Sequence, residues 1–314
     1  MAHPRRNLRH ADERIDVTRS RRLATLGLPL AVLAAMALLA ACAPMATLNA
    51  LVPGGDGYRV EDSVAYGEHP RQRLDIYTPQ SAAPAAGWPM VVFFYGGSWN
   101  IGERADYKFV AQALAVRGVL VLVADYRLYP EVRYPDFLHD SARALAYGFA
   151  QAGRLHADPK RIFVMGHSAG AYNAAMLAFD PRWLAATGHA PTELAGFIGL
   201  AGPYDFLPMT NPQTQPVFFH PNYPPNTQPL EHASRQAPRS FLAAPEHDRV
   251  VDPQRNTVGL ANRLRALGVA VEVHLYPRAS HVLLAGAFAA PLRWIAPVLP
   301  DVVAFIEAPV PKQP

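Results

Sequence analysis

From residue 58 onward, short uninterrupted apolar or β-branched runs alternate with stretches in which apolar residues recur every three or four positions. The runs at 72–77, 90–95, 119–124, 162–165, 196–200, 240–243 and 270–276 read as strands, and the stretches at 107–116, 137–151, 171–179 and 256–267 read as helices. Strands that are apolar throughout, rather than at every second position, bury both faces. Separated by helices, they predict an α/β fold with a mostly parallel central sheet and helices on both sides. The apolar segment 289–306 is expected to close the domain as a helix. One stretch breaks the rhythm: residues 207–239 hold eight prolines and several Asn and Gln with little periodicity. A long irregular insertion in a compact domain is usually a functional loop, so this one is expected beside the site as a short lid. No internal repeat is visible.

The chain of 314 residues is half apolar and 17% charged, which excludes a disordered or low-complexity protein. It carries 29 basic and 25 acidic side chains, and that excess of four lies entirely within residues 1–22, where seven Arg face three acids. The remainder is neutral, so the positive charge gives no reason to expect a nucleic-acid partner.

An Arg-rich head, an uncharged Ala- and Leu-rich run at 23–41 and then small residues have the layout of a signal peptide. The run ends Leu39-Ala40-Ala41-Cys42, which resembles the bacterial lipoprotein box, with Cys42, the sole cysteine, at the lipid-attachment position. One cysteine also excludes an internal disulfide and any cysteine-cluster metal site. The alternative is a transmembrane anchor, since 19 uncharged residues are long enough to span a bilayer. Ser20-Arg21-Arg22 weakly resembles a twin-arginine signal, which leaves the export route open. The expected layout is a signal peptide over 1–41 ending at Cys42, a tether over 43–57, a folded domain over 58–308 and a tail over 309–314. It implies a cell-envelope protein held to the membrane by a lipid anchor.

Chemistry concentrates in Gly166-His167-Ser168-Ala169-Gly170, directly after a strand and directly before a helix. Glycines on both sides let strand and helix pack closely around a strained turn, which exposes Ser168 Oγ above the sheet as a nucleophile. A second element, Tyr95-Gly96-Gly97-Ser98-Trp99, also follows an apolar strand. Acyl transfer puts negative charge on a former carbonyl oxygen, and the N–H groups of Gly97, Ser98 and Ala169 are the expected oxyanion donors.

Five segments carry a family resemblance: FFYGGSWNIG (93–102), ADYRLYPEVRYP (124–135), DPKRIFVMGHSAGAYNA (158–174), PEHDRVVDP (245–253) and SHVLLAGAF (280–288). From about residue 58 to 306 the chain resembles α/β-hydrolase esterases of the branch with hormone-sensitive-lipase-like esterases, kynurenine formamidases, prenylcysteine methylesterases and feruloyl or acetylxylan esterases. Tyr95 stands where that family has a histidine, and Ser98 where it has a third glycine.

The resemblance implies the chain order Ser, acid, His. Asp248, with Val251 and Pro253 matching a D-x-x-V-x-P loop, is the expected acid in preference to its neighbours Glu246 and Asp252. His281, in the loop after the last strand, is the expected base. His167 is expected to be structural, His274 to lie too far inside a strand, and Asp125, Arg127 and Asp205 to serve ion pairs.

The activity implied is a cofactor-free and metal-free hydrolysis of small or aryl carboxylic esters through an acyl-enzyme on Ser168. The aromatics Trp99, Tyr172, Phe218 and Phe219 are expected near the pocket. A formamidase or amidase with the same residues is the nearest alternative, and a non-catalytic binding lipoprotein of the envelope is the alternative from another class.

Overall fold

The computed structural model describes residues 48, 49 and 56–309. The signal peptide, Cys42 and most of the expected tether lie outside the described residues. Internal contacts divide the chain into Met1–Thr47 and Leu48–Pro314, and everything described belongs to the second unit.

Eight strands form one sheet in the order β1-β2-β4-β3-β5-β6-β7-β8: β1 Tyr58–Ala65, β2 Arg73–Pro79, β3 Trp88–Phe94, β4 Leu120–Ala124, β5 Ala157–His167, β6 Gly196–Leu200, β7 Ser240–Pro245 and β8 Val271–Tyr276. The β1–β2 and β2–β4 pairs are antiparallel and all the others parallel. In the central strands β3 and β4 every residue is buried, which is why their sequences, WPMVVFF and LVLVA, lack polar alternation. The main helices are α1 Lys108–Ala115, α2 Asp136–Gln151, α3 Ala169–Phe179, α4 Pro181–Ala185, α5 Gly259–Ala266, α6 His281–Gly286 and α7 Val298–Glu307. Helices cover both faces of the sheet, as the sequence predicts. Among the described residues no helix is long and apolar enough to cross a membrane.

The structure differs from the sequence reading in four places. Strand β1 has no apolar run, since its YRVEDSVA side chains are mostly exposed on an edge that charged residues keep in water. The segment 289–306 is not one helix: a short 3-10 turn at Ala290–Leu292 precedes α7, because Pro291 and Pro297 lack the N–H that a continuous helix needs. The insertion is not structureless, for it forms 3-10 turns at Gln215–Phe218 and Pro229–His232 and buries Val217 and Phe218. Within the expected tether, Leu48 is buried and Asn49 bonds the carbonyl of Ala105 and the amide of Phe109, so these two residues are seated on the domain.

What positions the site is the junction of β5 and α3. A Cβ on Gly166 would lie 2.2 Å from the Gly170 carbonyl oxygen, and a Cβ on Gly170 would lie 2.1 Å from that of Phe94 in β3. Both contacts are backbone and cannot swing away. Gly170→Ala is therefore expected to cost about 1–3 kcal/mol or more as overpacking against fixed backbone. The control is Gly153→Ala, whose Cβ would meet nothing within 4 Å. Urea unfolding of the two variants checks this, and equal midpoints would show that the junction has slack.

Candidate active site

Four loops meet at the carboxyl ends of β3, β5, β7 and β8, the edge where ligands bind in open α/β sheets. Ser168 sits at the tip of the β5–α3 turn with φ 53° and ψ −121°, a conformation that L-residues hold only when their surroundings enforce it. Its amide donates to Leu200 O at 2.8 Å, and its carbonyl accepts from Ala171 and Tyr172 at 2.9 and 3.1 Å. Backbone alone thus fixes the turn and leaves the hydroxyl free.

That hydroxyl meets His281 Nε2 at 2.8 Å, and His281 Nδ1 meets Asp248 Oδ2 at 2.7 Å. With Nδ1–H donating to the carboxylate, Nε2 is left to accept the serine proton. The other Asp248 oxygen accepts the amides of Val250 and Val251 at 2.8 and 3.2 Å, which locks the carboxylate in place. Burial pushes the Asp248 carboxyl up, but the hydrogen bond and charge of His281, with the two amides, outweigh it and hold the pKa below the ordinary value.

Glu246 and Asp252 also border the site, but neither bonds His281: Asp252 accepts the amides of Gln254 and Arg255, and Glu246 is exposed. His274 lies within β8, its ring stacked on Phe241 at 4.9 Å.

The loop after β3 holds Gly97, Ser98 and Trp99 at φ 131°, 53° and 58°. Among the described residues no acceptor takes the N–H of Gly97, Ser98 or Ala169. Ser98 and Ala169 line the cleft with Ser168, so unspent donors lie beside the hydroxyl. A Cβ on Gly96 would come within 3.0 Å of Ser168 Cβ, so this loop approaches Ser168 as only glycine allows.

The cleft encloses about 560 Å³. Trp99 forms part of its lining, Phe206 just before the insertion and Pro208 and Met209 within it border it, and Val250 and Val251 contribute from the loop after β7. Of the four aromatics expected near the pocket, only Trp99 lines it. Tyr172 and Phe218 are fully buried and pack edge-on against Trp99 at 5.2 and 4.9 Å, while Phe219 is on the surface under Arg133. Phe206 and Met209 are lining residues that sequence reading missed, because nothing in an aperiodic Pro-rich stretch says which side chains turn inward.

Asp205 takes a two-pronged ion pair from Arg255 at 2.9 and 3.0 Å on the cleft border. Asp125 and Arg127 do not pair with each other: Asp125 takes the Arg104 guanidinium, and Arg127 takes Asp140. Among the described residues no three His, Cys, Asp or Glu side chains are grouped to hold a metal.

His167 is more than a turn residue. Its Nε2 lies 2.9 Å from the backbone carbonyl of His281, so that nitrogen carries the proton, and Nδ1 accepts from the Tyr107 hydroxyl at 3.1 Å. A bond across 114 residues leaves no trace in a sequence. Burial above all, with the nearby His281 charge, pushes the His167 pKa down to about 3.

The BD-FAE family model matches residues 74–264. A probable isoprenylcysteine alpha-carbonyl methylesterase of Oryza sativa is 34% identical over 147 residues, which are 46% of this chain and 35% of that protein. The esterase LipC of Mycobacterium tuberculosis is 28% identical over 222 residues, 65% of this chain and 55% of that one. Over the curated relatives it matches, the chain spans about a third to a half of their length. Among solved structures, esterase B of Lactobacillus rhamnosis superposes with a TM-score of 0.69 at 17% identity, covering 88% of this chain and 96% of that one. The fold is shared with a truncated carbohydrate esterase from gut microbiota, TM-score 0.66 at 18% identity over 81% of this chain and 98% of that one.

A buried neutral His167 makes stability depend on pH. Unfolded, its ring binds a proton below about 6.5; folded, it refuses one down to about 3. Between these values the unfolded state binds more protons, so stability falls as pH falls, by up to about 1.4 kcal/mol per pH unit. Urea unfolding between pH 6 and 4 should show a slope steeper by about that amount than in His167→Gln. Equal slopes would mean that the native ring takes up the proton.

Proposed function

This chain belongs to the BD-FAE family, and from that premise we propose that it is a serine hydrolase of carboxylic esters with small or aryl substituents. The observation that carries the reading is the continuous hydrogen-bonded array Ser168–His281–Asp248 opening onto a cleft with unspent amides. His281 takes the Ser168 proton as Oγ attacks the ester carbonyl carbon. The N–H groups of Gly97, Ser98 and Ala169 hold the oxygen that becomes negative. The tetrahedral intermediate collapses, His281 gives its proton to the leaving alcohol, and the acyl group remains on Ser168 Oγ. Water, deprotonated by the same imidazole, then attacks the acyl-enzyme and releases acid and free serine. Asp248 keeps the imidazole in the tautomer that accepts from serine and offsets its charge when protonated. No step calls on a metal or organic cofactor.

The cleft supports a small substrate. A space of about 560 Å³ with Trp99 as one wall and the Asp205–Arg255 ion pair on its border suits a compact acyl group. A formamide would pass through the same steps, so the choice between ester and formamide is one for measurement. We further propose that the mature chain begins at a lipidated Cys42 and that the domain works at the cell envelope. The layout of residues 1–42 supports this, and Leu48, only six residues on, is the first described residue packed into the domain.

Ser168→Ala should lower kcat/KM for p-nitrophenyl acetate by at least about a thousandfold. Asp248→Asn should lower it by about 10² to 10⁴ while Asp252→Asn leaves it within threefold. Undiminished hydrolysis in Ser168→Ala would sink the reading, and faster turnover of N-formylkynurenine than of any aryl ester would put formamides first. For the anchor, Cys42→Ala should shift the protein from the membrane fraction to the soluble one or halt processing of the precursor. Continued membrane retention with the leader uncleaved would favour a transmembrane anchor.

A further inference from the structure

The loop that presents the oxyanion amides is held in a conformation it would not adopt alone. Ser98 and Trp99 follow Gly97 at positive φ, and each non-glycine residue in that region costs on the order of 1 kcal/mol or more. Something outside the loop must hold it.

One side is secured by Trp99: its indole N–H donates to the buried Asn173 Oδ1 at 2.9 Å, and its carbonyl accepts from the amide of Tyr129 at 2.8 Å. The other side is secured by an arginine distant in sequence. Arg71 Nη2 donates to the Tyr95 hydroxyl at 2.6 Å and to the Gly102 carbonyl at 2.7 Å, and Nε donates to the Tyr126 carbonyl at 3.0 Å. The first two acceptors are the residues that bracket Gly96–Ile101, so one nitrogen closes the loop at its base. Tyr126 returns the contact, donating its hydroxyl to the Tyr95 carbonyl at 2.8 Å, with the two rings stacked at 4.8 Å. The Arg71 charge lies 3.8 Å from Asp125, which also accepts the backbone amide of Arg104 just past the loop.

Resting on the serine-hydrolase reading, we propose that Arg71 is a positioning residue for catalysis: through Tyr95 and Gly102 it fixes the strained loop whose amides bind the oxyanion. This accounts for Tyr95, which stands where the family resembled has histidine. A phenol at that position reaches Arg71, and its buried hydroxyl has this guanidinium as its donor. Only arginine offers donors in a planar fork wide enough to span three acceptors, so lysine would keep the charge and lose the brace.

The test separates catalysis from folding by counting functional sites. Wild type, Arg71→Met, Arg71→Lys and Tyr95→Phe are titrated with a p-nitrophenyl phosphonate that labels Ser168, and turnover of p-nitrophenyl acetate is expressed per labelled site. An oxyanion donor is typically worth about 10² to 10³ in rate, and a loosened rather than deleted donor should cost Arg71→Met about 10- to 100-fold in kcat. KM should stay within threefold. Affinity for an aryl trifluoromethyl ketone, which needs the oxyanion amides, should fall in parallel. Arg71→Lys should resemble Arg71→Met, and Tyr95→Phe should lose about three- to tenfold, since the Gly102 arm survives. The double variant should be no worse than Arg71→Met.

Turnover per labelled site within twofold of wild type in Arg71→Met, with ketone affinity unchanged, overturns the proposal. Where Arg71→Met does not fold, Tyr95→Phe decides by the same two readouts. A wild type that neither reacts with the phosphonate nor turns over ester would overturn the hydrolase reading itself, and this one with it.

Discussion

The structure depends on a close approach of backbones at the end of β5. The turn through Ser168 carries strained dihedrals, and it stands because helix α3 is driven against strands β3 and β5 with no side chain between them at Gly166 and Gly170. Packing that tight has no give, because main-chain atoms in van der Waals contact have no rotamers to yield. Its cost is spread over a sheet whose central strands are buried on every residue. Its consequence is chemical, since the serine hydroxyl is lifted clear of the sheet with the helix N-terminus and the Ala169 amide just behind it. Every other part of the site is a loop brought to meet that fixed point.

The loops are brought there by different means, and that governs what could be read beforehand. The parallel strands were legible because both-face burial writes itself as continuous apolar runs, and β6 falls at 196–200 as its sequence implies. The Ser, Asp and His order was expected from the family resemblance, and the fold brings Ser168, Asp248 and His281 together at the carboxyl edge of the sheet. Strand β1 was not, since an exposed edge is built from Arg59, Glu61 and Asp62, which look like loop. The break in 289–306 was legible in principle from Pro291 and Pro297, but apolar content outweighed the missing donors in that reading. Arg71 and His167 belong to a third kind. Their partners, Tyr95 and Gly102 for one and the His281 carbonyl for the other, are neighbours only after the sheet has formed. No local pattern encodes such bonds.

Two unlike environments flank the Gly96–Ile101 loop. On the Trp99 side, Tyr172 and Phe218 meet the indole edge-on at 5.2 and 4.9 Å and Phe137 packs tilted against it at 5.9 Å, an apolar mass that sets the position of the cleft wall by shape. On the Tyr95 side, Arg71, Arg104, Asp75 and Asp125 form an ionic network around the half-buried Tyr66 and the buried Tyr126. Burial pushes both tyrosine hydroxyls well above their ordinary pKa, so they stay protonated and act as donors. Such networks contribute little net stability, because removing charges from water costs about what pairing returns. Their value lies in directionality: a guanidinium with three defined acceptors admits one arrangement of the loop, whereas an apolar contact admits several.

The same distinction explains the two histidines at the site. His167 and His281 have ring centres 5.2 Å apart, yet they sit in different settings. His281 has a carboxylate at Nδ1 and a half-buried hydroxyl at Nε2, a setting that would stabilise a proton taken from serine. His167 is sealed from water, and both its nitrogens are committed to neutral partners. Gaining a proton there would cost a hydrogen bond as well as hydration, so its pKa is driven down and it stays out of the proton traffic. In the proposed mechanism it can therefore keep its bond to the His281 backbone while the neighbouring ring changes charge. The serine turn and the start of α6 are thus joined by a link that the proposed proton transfer would not disturb.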